Sequence, residues 1–226
     1  MPSASDRIDE AALLMTEAAS RVLSRLEERS RRERPELDAL NAKGAACTRA
    51  AAPHLMLDVG PDVGRLLNVL ARTAQARRVV EIGGSVGYSA IWLAAAVAEH
   101  GGEVISIEKD PGKAAEMQHN LAEARLAAHV RVVCDDADAV IPALAPPFDL
   151  VLIDHWKDRY ISGFDLAWPK LRAGGVVIAD NILMPAATTA LMDAYVRHVR
   201  SQPDARSSTI PLGDGVEVTV RAAPSG

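Results

Sequence analysis

The sequence predicts an α/β fold with a doubly wound, seven-stranded and mostly parallel sheet, preceded by N-terminal helices and closed by a C-terminal antiparallel hairpin. From Arg77 onward, apolar segments of strand length alternate with segments of helical period. That alternation indicates parallel strands joined by helical crossovers. Near the C-terminus, Gly213-Asp214-Gly215 separates two β-rich segments, a pattern typical of a hairpin turn.

The N-terminal part is predicted to be helical. Apolar residues recur at three- and four-residue steps over residues 7–34, which predicts a helix that we expect Pro35 to interrupt. Residues 36–53 show no clear period, and we expect a short helix and a loop there. A further helix is predicted over 54–76, entered through Pro61.

The alternating region yields strands and helices in regular order. Its segments have the lengths usual for each type of element. We predict strands at 79–82, 103–107, 130–134, 150–153, 176–179, 209–212 and 216–220, and helices at 88–99, 111–125, 138–144, 159–171 and 186–200.

Composition limits the class of protein. The chain has 226 residues, 49% hydrophobic and 24% charged, which is ordinary for a globular protein. We treat 1–226 as a single domain, with 1–53 as a helical extension and 54–226 as the core. A net charge of −5 argues against nucleic acid as a partner. We therefore expect a small-molecule enzyme or a binding module.

The cellular compartment is predicted from three features that the sequence lacks. No apolar run reaches the roughly 18 residues of a membrane helix, and the first twenty residues do not read as a secretory signal. Cys47 and Cys134 are the two cysteines, too few for a disulfide framework. The sequence thus predicts a cytoplasmic protein without membrane contact.

A glycine-containing loop follows the first predicted strand. Gly83-Gly84-Ser85-Val86-Gly87 would let a ligand approach the backbone closely at the start of the next helix. Alone the loop is equally compatible with a dinucleotide, another nucleoside ligand or a simple tight turn. Glu108 ends the second strand, where a carboxylate can accept hydrogen bonds from both ribose hydroxyls, although it could also be a cap before Pro111. Together they predict an adenosine-bearing cofactor.

Acidic and amide side chains follow the later strands. Asp135-Asp136-Ala137-Asp138, after the third strand, could contact an adenine or cap the next helix. Asp154 follows the fourth strand, and Asp180-Asn181 follow the fifth. Neighbouring parallel strands would bring these oxygens into one crevice, where they suit a hard cation such as Mg²⁺. The alternative is two separate helix caps.

These residues together resemble the metal-dependent class I S-adenosylmethionine O-methyltransferases, of the catechol O-methyltransferase type. The run Leu-Ile-Asp-His-Trp-Lys-Asp-Arg-Tyr at 152–160 is similar almost letter for letter to the metal-and-lysine motif of that family. The resemblance extends over about residues 55–200. It is supported by the segments 81–89, 107–108, 141–144 and 179–181.

The resemblance implies a role for each matching residue. It implies Asp154, Asp180 and Asn181 as ligands of Mg²⁺, or of Mn²⁺ or Ca²⁺, and Lys157 as the general base. It implies a Rossmann-like methyltransferase fold. The implied S-adenosylmethionine site comprises Glu81, Gly83, Ser85, Tyr88, Ser89, Glu108, Lys109, Asp136, Ala137, Asp138, Asp154, His155 and Trp156, and the implied acceptor site comprises Leu55, Leu57, Lys157, Asn181 and Pro185.

Three departures leave the acceptor open. Leu55 stands where the family has a tryptophan wall, Ser208 where it has an acid that holds the second acceptor hydroxyl, and Ser85 where it has a tyrosine. The expected activity is methylation of a catechol-type aromatic small molecule, such as a natural-product intermediate. The Ala-rich chain and the N-terminal helix favour a bacterial member of the family.

The sequence leaves two other functions open, and it also predicts a homodimer. A nicotinamide-dependent oxidoreductase would share the glycine loop and Glu108, but it would leave the predicted metal ligands without a role. A non-catalytic partner protein would need none of these ligands. We also expect a homodimer whose contacts come from the first helix, because its apolar stripe needs a partner surface. Residues 45–57 are expected to line the acceptor site.

Overall fold

The sheet has the predicted seven strands. In the computed structural model, which describes residues 14–223, the strand order is β3-β2-β1-β4-β5-β7-β6. Strands β1 to β5 run parallel, and β7 and β6 continue the sheet in antiparallel fashion. The strands are β1 (Arg78–Ile82), β2 (Glu103–Glu108), β3 (Val130–Cys134), β4 (Phe148–Ile153), β5 (Leu171–Ala179), β6 (Ala205–Ile210) and β7 (Val216–Arg221). The predicted fold class is confirmed.

Helices precede and connect these strands. The predicted first helix includes residues 7–13, which lie outside the described residues. No helix of the described part is long and apolar enough to cross a membrane. The helices are α1 (Glu17–Lys43), α2 (Ala45–Ala51), α3 (Gly60–Thr73), α4 (Tyr88–Val97), α5 (Pro111–Glu123), α6 (Ala137–Ala143), α7 (Tyr160–Ala167) and α8 (Thr189–Arg200).

The prediction that Pro35 interrupts the first helix is wrong, because α1 continues through it to Lys43. An interior proline costs a helix about 3 kcal/mol. One ion pair within the helix and one tertiary contact flank this position. The Arg34–Asp38 ion pair spans the proline, and the Glu33 carboxylate accepts a hydrogen bond from the Met56 backbone N–H at 2.6 Å.

The apolar stripe of α1 is buried within its own chain. Ala19, Val22, Leu23 and Leu26 belong to the hydrophobic core that includes Trp92 of α4. Our reason for expecting dimer contacts from this helix was therefore wrong, because the stripe already has a partner surface. The homodimer itself stays a prediction.

The central strands of the sheet are buried on both faces. Along β4, Leu150 and Leu152 face one core, which α1, α3 and α4 complete. Val151 and Ile153 face the other core, which α6, α7 and α8 complete. This two-sided burial explains why the strands appear in the sequence as continuous apolar runs.

The hairpin differs in detail from the prediction. Strand β6 covers Ala205–Ile210 rather than 209–212. Its polar side chains Ser207 and Thr209 donate hydrogen bonds to the buried carboxylate of Glu217 on β7. Hydrophobic alternation could not reveal a strand whose inward face is polar.

The position of a ligand site follows from the strand order. The order reverses between β1 and β4, which are neighbours although they are distant in sequence. In open α/β sheets, ligands bind beyond the carboxyl ends of the strands at such a reversal. The predicted site residues follow these strand ends.

Candidate active site

Backbone contacts hold the ends of the central strands together. The Asp154 N–H donates to the Ile82 carbonyl at 2.9 Å, and the Asp180 N–H donates to the Ile153 carbonyl at 3.2 Å. A Cβ atom added to Gly83 would lie 2.4 Å from the Asp154 carbonyl oxygen, so a larger residue would push these segments apart. The glycine loop and the β4 exit are thus in direct contact.

Lys157 connects the exits of β4 and β5. Its Nζ atom lies 2.5 Å from Asn181 Oδ1, 2.7 Å from the Tyr160 hydroxyl and 3.5 Å from Asp154 Oδ1. The Tyr160 hydroxyl in turn donates to the Asp180 carbonyl at 3.1 Å. The structure therefore brings the predicted general base and the predicted metal ligands into one cluster.

Burial makes negative charge on the two carboxylates of this cluster costly. Desolvation raises the pKa of Asp154 to about 6, opposed by the positive charge of Lys157. Desolvation, followed by the charge of Asp154, raises the pKa of Asp180 well above its usual value. Asp180 is 1% exposed, and its Oδ1 atom has no hydrogen-bond partner among residues 14–223. Two buried carboxylates so close together favour additional positive charge.

The predicted set fits a hard cation. Within the described chain, no group of three or more His, Cys, Asp and Glu side chains is arranged to hold a metal. The predicted set contains only two such residues, Asp154 and Asp180, and takes an amide oxygen from Asn181 as the third ligand. All three donors are oxygens, which is the ligand chemistry of Mg²⁺. The Asp180 Oδ1 atom has no partner among the described residues, so it is free to bind a cation.

His155 and Trp156 extend the site on its other side. His155 stacks on Tyr160 with ring centroids 5.4 Å apart. Neither of its ring nitrogens has a partner among the described residues, and burial is the main cause that lowers its pKa to about 4. The guanidinium of Arg49 lies 4.6 Å from the Trp156 ring centroid and forms an ion pair with Asp158. Helix α2 is thereby attached to the β4 exit.

The glycine loop is fixed by Glu108. One carboxylate oxygen accepts from the Ser85 N–H and the other from the Asp110 N–H, both at 2.8 Å. The Ser85 hydroxyl donates to the Met56 carbonyl, and the buried Lys113 ammonium lies 3.3 Å from the same hydroxyl. The loop, the predicted ribose acid and the segment before α3 thus form one connected unit.

Glu81, Tyr88 and Ser89 lie beneath this loop. Glu81 is fully buried and accepts a hydrogen bond from the Ser106 hydroxyl, and desolvation raises its pKa to about 7. Ser89 is also buried. The Tyr88 hydroxyl donates to Glu27 of α1 at 2.8 Å, so its polar end faces the N-terminal helix.

The acids after β3 act as a cap and as ion-pair partners. Asp136 accepts from the Asp138 N–H at 3.0 Å at the start of α6, beside Ala137. Its carboxylate also pairs with Lys109 at 2.8 Å and with Arg159 at 3.1 Å. The helix-cap interpretation of Asp136 is thus observed, while an adenine contact stays a prediction.

The predicted acceptor residues other than Lys157 and Asn181 lie in segments that are separate in sequence. Leu55 is buried, and Leu57 adopts a left-handed φ of 52° just before α3. Pro185 lies half-buried in the loop after Asn181. Ser208 is exposed on β6. Their contribution to an acceptor site stays a prediction.

Comparison with known proteins decides the family. Residues 80–182 match the model of a methyltransferase domain. Over 152 residues the chain is 36% identical to a catechol O-methyltransferase of Niastella koreensis, covering 66% of this chain and 67% of the relative. A catechol O-methyltransferase of Mycobacterium tuberculosis is 37% identical over 156 residues, covering 69% and 70%. The chain belongs to the S-adenosylmethionine-dependent O-methyltransferases.

Solved structures agree with this assignment of the O-methyltransferase. This chain is similar to a Streptomyces achromogenes O-methyltransferase involved in tomaymycin synthesis, whose structure was solved with S-adenosylmethionine. The TM-score is 0.72 and the identity is 27%, and the match covers 94% of both chains. A Bacillus cereus O-methyltransferase in complex with SAH has a TM-score of 0.69 and 25% identity, covering 82% of this chain and 90% of that one. The oxidoreductase and non-catalytic alternatives are thereby set aside.

Three residues of this O-methyltransferase that contact the site received no role from the sequence, and Arg49 received one only as part of the range 45–57. Tyr160 was detectable in principle, since it follows Lys157 by three residues and ends the matched motif. Lys113 lies within a predicted helix without a distinctive pattern. Arg49 and Asp214 reach the site from distant segments, and no local signal identifies them.

Proposed function

We propose that this O-methyltransferase transfers the methyl group of S-adenosylmethionine to one hydroxyl of a vicinal diol on an aromatic ring, with a divalent cation beside the acceptor. The observation that carries the proposal is the cluster of Asp154, Asp180 and Asn181 around Lys157. The names of the two catechol O-methyltransferase relatives support the same acceptor class.

Asp154, Asp180 and Asn181 would hold the cation, with Mg²⁺ preferred and Mn²⁺ or Ca²⁺ as alternatives. Their three oxygens meet the requirement of a hard ion, and positive charge would relieve the repulsion that Asp154 exerts on Asp180. When bound, such an ion would supply Lewis acidity that favours ionisation of the reacting hydroxyl.

Lys157 would take the proton of the reacting hydroxyl. Its Nζ atom is held by Asn181 and Tyr160, beside the proposed cation ligands. As the proton moves to Nζ, the acceptor oxygen forms a bond to the methyl carbon and the carbon–sulfur bond breaks, which leaves S-adenosylhomocysteine. Since oxygen, carbon and sulfur must lie in line, much of the rate would come from positioning.

The glycine loop and the strand ends would bind the methyl donor. Gly83, Ser85 and Ser89 would contact its methionine portion, with Glu81 and Tyr88 supporting that wall. Glu108 would accept hydrogen bonds from the ribose hydroxyls, because its carboxylate is already fixed at the loop and retains unused lone pairs. The adenine would lie among Lys109, Asp136, Ala137, Asp138, His155 and Trp156.

The acceptor would be an aromatic small molecule, such as a natural-product intermediate. The Streptomyces neighbour that acts in tomaymycin synthesis supports this class. Leu55, Leu57 and Pro185 would form apolar walls around the ring. Leu55 is smaller than the tryptophan of the family, which would leave room for a larger substituent on the ring.

The test is methyl transfer to a panel of catechols, with Mg²⁺ and then with excess EDTA. We expect turnover that disappears on chelation and returns with added Mg²⁺. Asp154→Ala and Asp180→Ala should abolish it, while Asp193→Ala, an exposed acid on α8, should not. Turnover that persists in EDTA, or in either site variant, would exclude the cation; methylation of single phenols alone would exclude the diol.

A further inference from the structure

The turn between β6 and β7 is attached to the loop that follows Asn181. The Leu183 and Met184 N–H groups both donate to the Asp214 carbonyl, at 2.9 and 3.1 Å, and the Ile182 N–H donates to the Gly215 carbonyl at 2.9 Å. These backbone bonds fix the position of residue 214 whatever its side chain is. The Asp214 carboxylate is therefore available for another role.

That carboxylate faces the side-chain amide of Asn181. Asn181 Nδ2 lies 3.5 Å from Asp214 Oδ2, while Asn181 Oδ1 lies 2.5 Å from Lys157 Nζ. The Lys157 nitrogen donates to the amide oxygen, which it can do in either protonation state, and a carboxylate can only accept hydrogen bonds. Only one of the two orientations of the amide therefore satisfies both neighbours. The reversed orientation would place NH₂ against NH₃⁺ and oxygen against carboxylate.

We propose that Asp214 is a positioning residue that keeps the carbonyl oxygen of Asn181 directed toward Lys157 and the exit of β4. The inference rests on the proposed function, because a cation can bind the oxygen of this amide but not its NH₂ group. The contact of 3.5 Å is long for a hydrogen bond, so the effect comes from selecting an orientation rather than from bond strength.

The charge of Asp214 is a separate effect that must be distinguished from orientation. It is one of the causes that raise the pKa of Asp180, after desolvation and the charge of Asp154. Asp214 therefore adds negative potential beside the ligands without joining the set itself. Two variants separate charge from orientation. Asp214→Asn removes the charge but keeps an acceptor oxygen, whereas Asp214→Leu removes both.

The first measurement is Mn²⁺ affinity, which is determined from the electron paramagnetic resonance signal of the free ion. Outer partners of metal ligands typically contribute 10- to 100-fold in affinity. We expect Asp214→Leu to bind Mn²⁺ about 10- to 100-fold more weakly, and Asp214→Asn to stay within about threefold of the wild type. S-adenosylhomocysteine affinity, from calorimetry, should stay constant in both variants, and Asp193→Leu is the matched surface control.

A second measurement does not depend on metal. The ¹⁵N–¹H₂ signals of the Asn181 side chain, assigned by their loss in Asn181→Asp, should change in Asp214→Leu and remain nearly unchanged in Asp214→Asn. Equal Mn²⁺ affinity in wild type and Asp214→Leu would overturn the inference, as would equal weakening in both variants, which indicates charge alone. If the wild type binds no Mn²⁺, the proposed function fails, and the amide signals then decide the orientation.

Discussion

The amine nitrogen of Lys157 lies 2.5 Å from the side-chain oxygen of Asn181, although the two residues follow different strands. Lys157 comes from the turn after β4, and Asn181 from the loop after β5. Because β4 and β5 are paired in parallel, their ends present both side chains at the same edge of the sheet. This contact places Lys157 beside the three oxygen-bearing side chains that we propose as cation ligands.

Replacement of Lys157 should remove chemistry while leaving cofactor binding intact. A positioned general base contributes about 10²- to 10⁴-fold to the rate, so kcat of Lys157→Met should fall by about that factor. Lys157→Arg, which keeps the charge but cannot take up a proton, should fall almost as far. Steady-state methylation gives kcat, and calorimetry with S-adenosylhomocysteine gives the binding control. Near-normal kcat in Lys157→Arg would show that only the charge matters.

The central strands of the alternating part were predictable because they are short, mostly apolar and buried on both faces. The run at 150–153 shows this directly, since its residues alternate between two cores. The failures occurred where distant contacts dominate. The continuation of α1 through Pro35 is accompanied by a tertiary contact between Glu33 and Met56, and β6 depends on a buried glutamate of the next strand. Local patterns contain neither relationship.

The candidate site shows the same division. Asp154 and Lys157 belong to one short motif, and Asp180 follows a clear strand, so local sequence was sufficient to propose them. Arg49 contacts Trp156 across 107 positions, and Asp214 faces Asn181 across 33. Such pairs become visible only when the fold brings their segments together.

Glu108 should contribute to cofactor affinity. A hydrogen bond to a charged group contributes about 1.5–3 kcal/mol, so we expect Glu108→Gln to weaken binding of S-adenosylhomocysteine about 10- to 100-fold. The Ser85 N–H would also lose a charged acceptor. Calorimetric titration measures the dissociation constant. Glu103→Gln, at the opposite end of β2, is the control, and an unchanged constant in Glu108→Gln would contradict the ribose assignment.

Glu81 should make stability depend on pH. Its pKa is raised by burial from 4.5 to about 7, so the folded state binds more protons than the unfolded state between these values. The free energy of unfolding should therefore decrease as pH rises from about 4.5 to 7, by about 3 kcal/mol from this group. Glu81→Gln cannot ionise and should lose that decrease. Urea unfolding at pH 5, 6, 7 and 8 compares the two proteins.

The control for this experiment is Glu28→Gln, an exposed glutamate of α1. It should change the free energy of unfolding by a similar amount at every pH. The difference between Glu81→Gln and wild type should instead grow with pH in favour of the variant. A difference independent of pH would show that Glu81 ionises alike in both states.

Arg49 should hold α2 over Trp156 without contributing much to global stability. Both partners of the Arg49–Asp158 pair are about half exposed, and such pairs contribute at most about 1 kcal/mol. We expect Arg49→Gln to speed amide hydrogen exchange in residues 45–57 and to raise KM for the acceptor with little change in kcat. The control is Arg32→Gln, which removes an exposed ion pair with Glu28 on α1. Unchanged exchange would mean that other contacts fix α2.

Leu23→Ala should test whether the stripe of α1 belongs to the core of its own chain. Leu23 is 1% exposed and packs in the same cluster as Trp92. Truncation of a buried leucine costs about 2–5 kcal/mol, and we expect a loss in that range. Leu191→Ala, on an exposed face of α8, should cost far less because that side chain is 45% exposed.

The dependence on protein concentration distinguishes the two possible locations of this stripe. If Leu23 packs within its own chain, the loss in free energy of unfolding should be the same at every protein concentration. If it packed against a second copy, unfolding would be coupled to dissociation, and the loss would change with concentration. Urea titrations at widely separated concentrations, with light scattering to determine mass, measure both quantities. A dimer that Leu23→Ala leaves intact would place the dimer interface away from the stripe of α1.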